Sequence, residues 1–250
     1  MSPPRVLSLG NAVVDLVAAV PRLPDRGGDL LASGGLVPGG SGLLALSAAR
    51  AVGVRAAFAG RVGTGPFGDL LRAAFAERGV DLLLPRVEEA DSGVAITLLE
   101  PDGERTFVTL RGAEAAAPLL DRVEAGPGDL VHVSGYALLE RGRAEEVLRF
   151  LRALPASVPL LLDPGPLGDR VDATTMDALV ERADWWSGTA AEAAAATAEP
   201  DPERAAAALA RRTRSGAVVR MGPAGCVVAL DDDAPVTVPA PSVVALDTNG

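Results

Sequence analysis

The residues that could do chemistry in this chain are carboxylates, hydroxyls, arginines and glycine turns. One His and one Cys among 250 residues cannot build the clusters that hold zinc, so any metal used must be oxygen-liganded, such as Mg²⁺. All 23 basic residues are Arg. Without lysine there is no Walker-type phosphate lysine, no Schiff base to pyridoxal phosphate and no Ser-Lys dyad. His132 is the only imidazole for a Ser-His-Asp arrangement, but it sits in Asp-Leu-Val-His-Val-Ser-Gly, which alternates as a strand does. It reads as a packed strand histidine. Cys226, alone, cannot form an internal disulfide, which is compatible with a reducing compartment.

Three glycine turns stand out. Gly39-Gly40-Ser41-Gly42 directly precedes an Ala/Leu-rich stretch, and such a turn at a helix N-terminus can bring backbone N–H groups onto an anion or a sugar hydroxyl. Simple turn punctuation is the plainer alternative. Gly60-Arg61-Val62-Gly63-Thr64-Gly65-Pro66-Phe67-Gly68 lacks dinucleotide-fingerprint spacing, and no acidic residue closes a following strand, so it reads as a structural turn and argues against a dinucleotide-dependent oxidoreductase. Further on, Val243 to Leu246 reads as a strand entering Asp247-Thr248-Asn249-Gly250, a polar segment of the kind that prepares a glycine loop and helix start.

The elements that must position these turns alternate. Arg5 to Gly10, Arg55 to Arg61, Asp129 to Ser134, Pro159 to Asp163, Asp184 to Ser187 and Ala217 to Met221 read as strands. Ser41 to Val52, Phe67 to Arg78, Leu138 to Leu154, Ala190 to Ala198 and Pro202 to Arg212 read as helices. That grammar predicts an α/β fold with a mostly parallel sheet covered by helices on both faces. Ala12 to Val37 breaks the rhythm, and so does a hairpin, Ser92 to Glu100 and Glu104 to Arg111, around Pro101-Asp102-Gly103. Two such insertions predict a small sheet over one edge of the main one, acting as a lid.

An apolar content of 48% suits a sizeable core, and no apolar run approaches the ~20 residues that cross a bilayer. With no basic n-region leading into an apolar stretch, the chain is expected to be soluble and cytoplasmic, without a membrane partner. The net charge of −10 argues against a nucleic-acid partner.

Taken in order, these pieces resemble the ribokinase-like (PfkB) family of sugar and nucleoside kinases. Gly39-Gly40 opening a helix resembles the first family signature, and Asp247-Thr248-Asn249-Gly250 resembles the opening of the second, Asp-Thr-x-Gly-Ala-Gly-Asp. Leu9-Gly10-Asn11 with Asp15, Val62-Gly63 with Phe67-Gly68, Arg105 to Val108, Val133 to Tyr136, Asp163-Pro164 and Met221 to Gly225 fall in the family's order between Arg5 and Gly250.

The resemblance implies one α/β domain over 1–250, incomplete at its C-terminus, with a lid from 12–37 and 88–113 and a core from 1–11, 38–87 and 114–250. In relatives such lids often pair across a homodimer. It implies ATP-dependent phosphorylation of a hydroxymethyl group on a small sugar or nucleoside, with Mg²⁺ bridging phosphates. Asn11, Asp15, Gly39 and Gly40 would bind the acceptor. A carboxylate suits Asp15's role, because it takes two hydroxyl donors at once. Thr189, Gly222, Gly225, Asp247 and Thr248 would face the nucleotide, and Glu192 a metal-bound water. The implied base is an Asp three residues beyond Gly250, with the anion hole beginning at Gly250, so 1–250 is expected to hold no catalytic base and to turn over poorly alone. Leu44 stands where the family has a sugar-binding Asn, and Thr189 where it has the Asn of Asn-x-x-Glu. These departures leave open a non-catalytic sugar- or nucleotide-binding protein of the same fold. Asn11 with Asp15 leans towards a ribose-bearing or fructose-like acceptor.

Overall fold

The computed structural model describes residues 4–231 and 233–243. The chain runs β1 (Arg5–Ser8), β2 (Val13–Ala19), β3 (Ser33–Gly39), α1 (Ser41–Ala51), β4 (Arg55–Phe58), α2 (Pro66–Glu77), β5 (Asp81–Leu82), β6 (Val94–Leu99) and β7 (Arg105–Leu110). It continues through β8 (Asp129–Ser134), α3 (Arg141–Ala153), β9 (Leu160–Asp163), α4 (Ala173–Arg182), β10 (Trp185–Thr189), α5 (Ala190–Thr197), α6 (Pro202–Ala210), β11 (Gly216–Arg220), β12 (Cys226–Leu230) and β13 (Val236–Val238).

Among the described residues, nine strands form one sheet in the order β13-β12-β11-β10-β9-β8-β1-β4-β5, and β3-β2-β6-β7 form a second. From β5 to β11 the large sheet is parallel, while β12 and β13 pair antiparallel at its edge. Successive side chains point to opposite faces. Leu7, Ala57, Val131, Val133, Leu162, Trp186 and Val219 therefore meet α3 to α6 on one face, while Ala56 and Phe58 meet Leu43 and Leu46 of α1 and Leu71 and Phe75 of α2 on the other. Phe58 and Phe75 stack at 4.7 Å between ring centroids, a pair worth about 0.5–1.5 kcal/mol beyond its buried area. The second face is only partly covered: Leu130, Leu161, Trp185, Val218 and Val228 stay half-exposed there.

Element boundaries differ from the sequence reading by a few residues at most positions, with Gly135–Leu138 a 3₁₀ turn ahead of α3. Helix α4 and strands β5, β12 and β13 have no counterpart in that reading. Helix α4 buries Leu179 and Val180 and carries Thr174 and Thr175 near its start, too little apolar periodicity to stand out; Asp172 caps it by accepting the Thr175 N–H. Strand β3 runs to Gly39, two residues past the expected lid limit.

The second, smaller sheet takes up the two segments expected to form the lid. Its β6–β7 hairpin turns at Gly103, φ 88°, where the N–H donates to Glu100 O at 2.9 Å. Its root is tied to the core by two carboxylates. Helix α2 follows Gly65, which has no side chain to cap it, and Asp91 does so from the lid root, accepting the N–H of Phe67 at 3.1 Å and of Gly68 at 2.7 Å. Glu114 accepts the N–H of Gly93 at 2.9 Å and of Gly112 at 2.8 Å. The glycine-rich run 60–68 is thus a structural turn that seats the lid. Just past the lid, the buried guanidiniums of Arg61 and Arg143 donate to the carbonyls of Ala117 and Ala116, both at 2.7 Å.

Candidate functional site

From β1 the chain moves to β4 and β5 on one side, then returns to β8 on β1's other side. In an open parallel sheet this reversal leaves a crevice at the strands' carboxyl ends, the favoured place for a ligand. Here it falls between Gly10-Asn11, just past β1, and Ser134 to Tyr136, at the end of β8.

The first wall is built by the lid root. Asp15 sits on β2 paired with Val37 and Ala95, and it is buried. A Cβ built on Gly39 would overlap the Asp15 carboxylate, so only glycine lets that carboxylate lie over the turn. Gly40 has φ 93° and ψ 150°, and a Cβ there would strike Asn11 O at 2.8 Å and Ala12 Cα at 2.9 Å. Asn11 closes the contact: its Oδ1 accepts the Ser41 hydroxyl at 2.8 Å and the Ser41 N–H at 3.3 Å, and its carbonyl accepts the Gly42 N–H at 2.8 Å. The structure thus brings together Asn11, Asp15, Gly39 and Gly40 at the start of α1. Leu44 lies one turn on and is partly exposed.

The second wall carries residues to which sequence reasoning gave no role. Ser134 Oγ is buried with no hydrogen-bond partner among the described residues, a group that a ligand or water can satisfy. Burial raises the Tyr136 phenol above its ordinary pKa, and the carboxylates of Glu192, Asp163 and Asp15 raise it further. Burial likewise raises Asp163, partly offset by Arg220, whose Nη2 lies 3.6 Å from it, and by the Gly165 N–H at 3.1 Å. Arg220 also donates to Ser187 Oγ at 2.7 Å. The available signal was a polar residue at the end of an apolar strand followed by glycine or proline, as in Ser134-Gly135 and Asp163-Pro164.

At the far end, Thr189 and Glu192 satisfy one another as a capping box on α5. Thr189 Oγ1 accepts the Glu192 N–H at 3.3 Å, and Glu192 Oε2 accepts the Thr189 N–H at 2.7 Å. Gly222 and Gly225, φ 58° and 98°, bracket the tight turn from β11 to β12, where Met221 N–H donates to Gly225 O at 2.8 Å. Asp247, Thr248 and Gly250 lie outside the described residues. Among the described residues no group of three His, Cys, Asp or Glu side chains gathers as a metal site, and no helix is long and apolar enough to cross a membrane.

Residues 3–250 match the pfkB family of carbohydrate kinases. The chain belongs to that family. As a pfkB-family chain it is 34% identical over 172 residues to the uncharacterized sugar kinase YegV of Escherichia coli, covering 67% of this chain and 53% of that one. It is 34% identical over 139 residues to a fructokinase of Klebsiella pneumoniae, covering 54% and 41% respectively. The chain spans about half the length of the curated relatives it matches. Two solved structures share the fold: a ribokinase of Thermotoga maritima, TM-score 0.78 and 19% identical over 98% of this chain and 80% of that one, and a ribokinase of Arabidopsis thaliana complexed with ribose and ATP, TM-score 0.75 and 22% identical over 100% and 82%. The ribokinase-like α/β fold, a large mostly parallel sheet with helices plus a smaller separate sheet, is the one this pfkB-family chain adopts.

Proposed function

We propose that this protein transfers a phosphoryl group from ATP to a hydroxymethyl group of a small sugar, with a fructose-like or ribose-bearing acceptor. The observation that carries the reading is the buried Asp15 over Gly39 and Gly40 at the lid root, facing the crevice of a sheet whose family consists of carbohydrate kinases. Fructokinases among the curated relatives and a ribokinase complexed with ribose and ATP among the structures support the acceptor class and the donor. On this reading Asp15 accepts two acceptor hydroxyls, and the Gly39-Gly40 turn lets the sugar approach backbone closely. Arg220 beside Ser187 offers a permanent cation to donor phosphates.

An Mg²⁺ carried by those phosphates would shield their charge. The residues present fit it through water rather than by direct ligation. Glu192 holds its capping bond, Asp163 and Glu192 both lie near enough to raise the Tyr136 pKa, and no three-ligand cluster exists among the described residues. The base that takes the acceptor proton lies, on this reading, past Gly250. Nothing in the comparisons supports the non-catalytic alternative that Leu44 and Thr189 left open.

The lid also supports a homodimer. Leu16, Leu36, Ile96 and Val108 align in one row across its four strands, on the face opposite Asp15, and Leu36 and Val108 are 50% and 53% exposed. Light scattering of the wild type and of Val108→Glu tests it: a dimer that the variant splits is expected, and a wild-type monomer overturns it.

ADP formation from ATP, measured on the protein at its native length with D-fructose, D-ribose and adenosine, tests the main reading. Sugar-dependent ADP release is expected. ATP turnover indifferent to every acceptor would overturn it.

A further inference from the structure

The sequence contains one histidine, and the proposed chemistry does not use it. His132 lies on β8 directly opposite Ser8 of β1, across the point where the sheet's connectivity reverses. Both are buried, 3% and 0% exposed, and the imidazole Nδ1 lies 2.9 Å from Ser8 Oγ. Their face of the sheet is otherwise apolar at the neighbouring positions Val6, Leu130 and Leu161. A buried polar pair here gains little over two apolar side chains unless it holds something else.

What it holds is the next turn. Strand pairing reaches Leu9, whose N–H donates to His132 O at 2.8 Å. The following amide, Gly10, leaves the ladder and donates instead to Ser8 Oγ at 3.1 Å. Asn11 follows at once, with its three bonds to Ser41 and Gly42 at the start of α1. A continuous series of hydrogen bonds thus links the imidazole to the turn beneath the lid.

We propose that His132 is a positioning residue for the acceptor subsite, holding the Gly10-Asn11 turn in place through Ser8. The proposal rests on the reading of that turn as part of the sugar site. The proposal assigns the tautomer in which Ser8 donates its hydroxyl proton to a bare Nδ1 while its oxygen accepts the Gly10 N–H, leaving the ring proton on Nε2. Burial keeps the ring neutral, with Arg220 adding to the effect, so the arrangement persists at ordinary pH.

In ¹⁵N-labelled protein, the imidazole signal that is absent from His132→Leu reports the His132 tautomer. The wild type is expected to show an unprotonated Nδ1 and a protonated Nε2. In Ser8→Ala and His132→Leu, amide exchange at Gly10 should rise about 3- to 10-fold, and KM for D-fructose by a similar factor, with kcat within about two-fold. His132→Asn, whose side-chain oxygen can take the place of Nδ1, should restore both. A purely structural pair would lower the unfolding midpoint and leave Gly10 exchange and KM in the folded protein unmoved. Unchanged Gly10 exchange in Ser8→Ala, or a protonated Nδ1 in the wild type, overturns the proposal. If His132→Leu does not fold, Ser8→Ala and His132→Asn carry the test. If the wild type phosphorylates no sugar, the proposed function fails, while the imidazole and Gly10 signals still decide whether His132 holds the turn.

Discussion

The two ends of the crevice are built differently. At the lid end, Asn11, Asp15, Gly39 and Gly40 come from the β1–β2 and β3–α1 junctions, and Asn11 bonds across thirty residues of chain to Ser41. Asn11 also takes the first two N–H groups of α1, but no strand or helix requires the Asp15 carboxylate over Gly39. At the other end each candidate already serves the local fold, since Thr189 and Glu192 cap α5 while Gly222 and Gly225 turn β11 into β12. The proposed acceptor site at the lid end therefore rests on Asp15 lying over the Gly39-Gly40 turn. At the far end the ligand reading leans on family pattern, because a capping box and a tight turn are complete explanations in themselves.

The largest expected effect that would break this comparison is at Asp15. Asp15→Ala should cost roughly 2–4 kcal/mol of sugar binding through two lost charge-assisted hydrogen bonds, while ATP KM stays within a few-fold. Calorimetric titration with D-fructose checks it, and unchanged affinity would move the acceptor site elsewhere. Gly40→Ala comes next. It forces a side chain into a backbone conformation that is essentially glycine's own and against Asn11 O, so unfolding free energy should fall by about 1–3 kcal/mol in urea, with weakened sugar binding in the folded fraction.

A pH dependence sharpens the role of β8. The His132 pKa is lowered by burial to about 4, with Arg220 contributing, against an ordinary value of 6.5. Between these values the unfolded chain binds a proton that the folded chain does not, so stability is full above pH 6.5 and is lost as pH falls towards 4. The slope is about 1.4 kcal/mol per pH unit well below 6.5. Urea unfolding from pH 7.5 to 5.5 should show a loss of about 1 kcal/mol in the wild type that is missing in His132→Asn. An equal slope in both would assign the titration to other groups. The smallest effect is at Thr189. Thr189→Ala removes an N-cap and should cost about 1 kcal/mol of stability with no change in sugar affinity. A large rise in ATP KM in that variant would give Thr189 a second role and erase the contrast between the ends.

The alternation of apolar strands with helices was plain in the sequence, and so were the two lid insertions, because period-2 and period-3.6 patterns survive without knowledge of contacts. Helix α4 was invisible because little more than Leu179 and Val180 carries its buried face. The glycines at 39 and 40 were legible as a turn at a helix start. Their real constraint, a carboxylate arriving from β2, depends on a pairing of Asp15 with Val37 that no local pattern encodes. Ser134 and Tyr136 were missed as site residues for the same reason: their meaning comes from lying where the strand order reverses. His132 is buried in its strand, as the alternation around it implies; its bond to Ser8 is fixed by the register of two strands 124 residues apart.

The carboxylate of Asp91 has a consequence for how the molecule comes apart. It takes the first free N–H groups of α2 while sitting at the foot of the lid, so detaching the lid root and fraying the first turn of α2 are a single event. Lid and helix then form one cooperative unit of local unfolding. The exchange rate of the Gly68 amide, inside the core, becomes a gauge of how often the lid lets go.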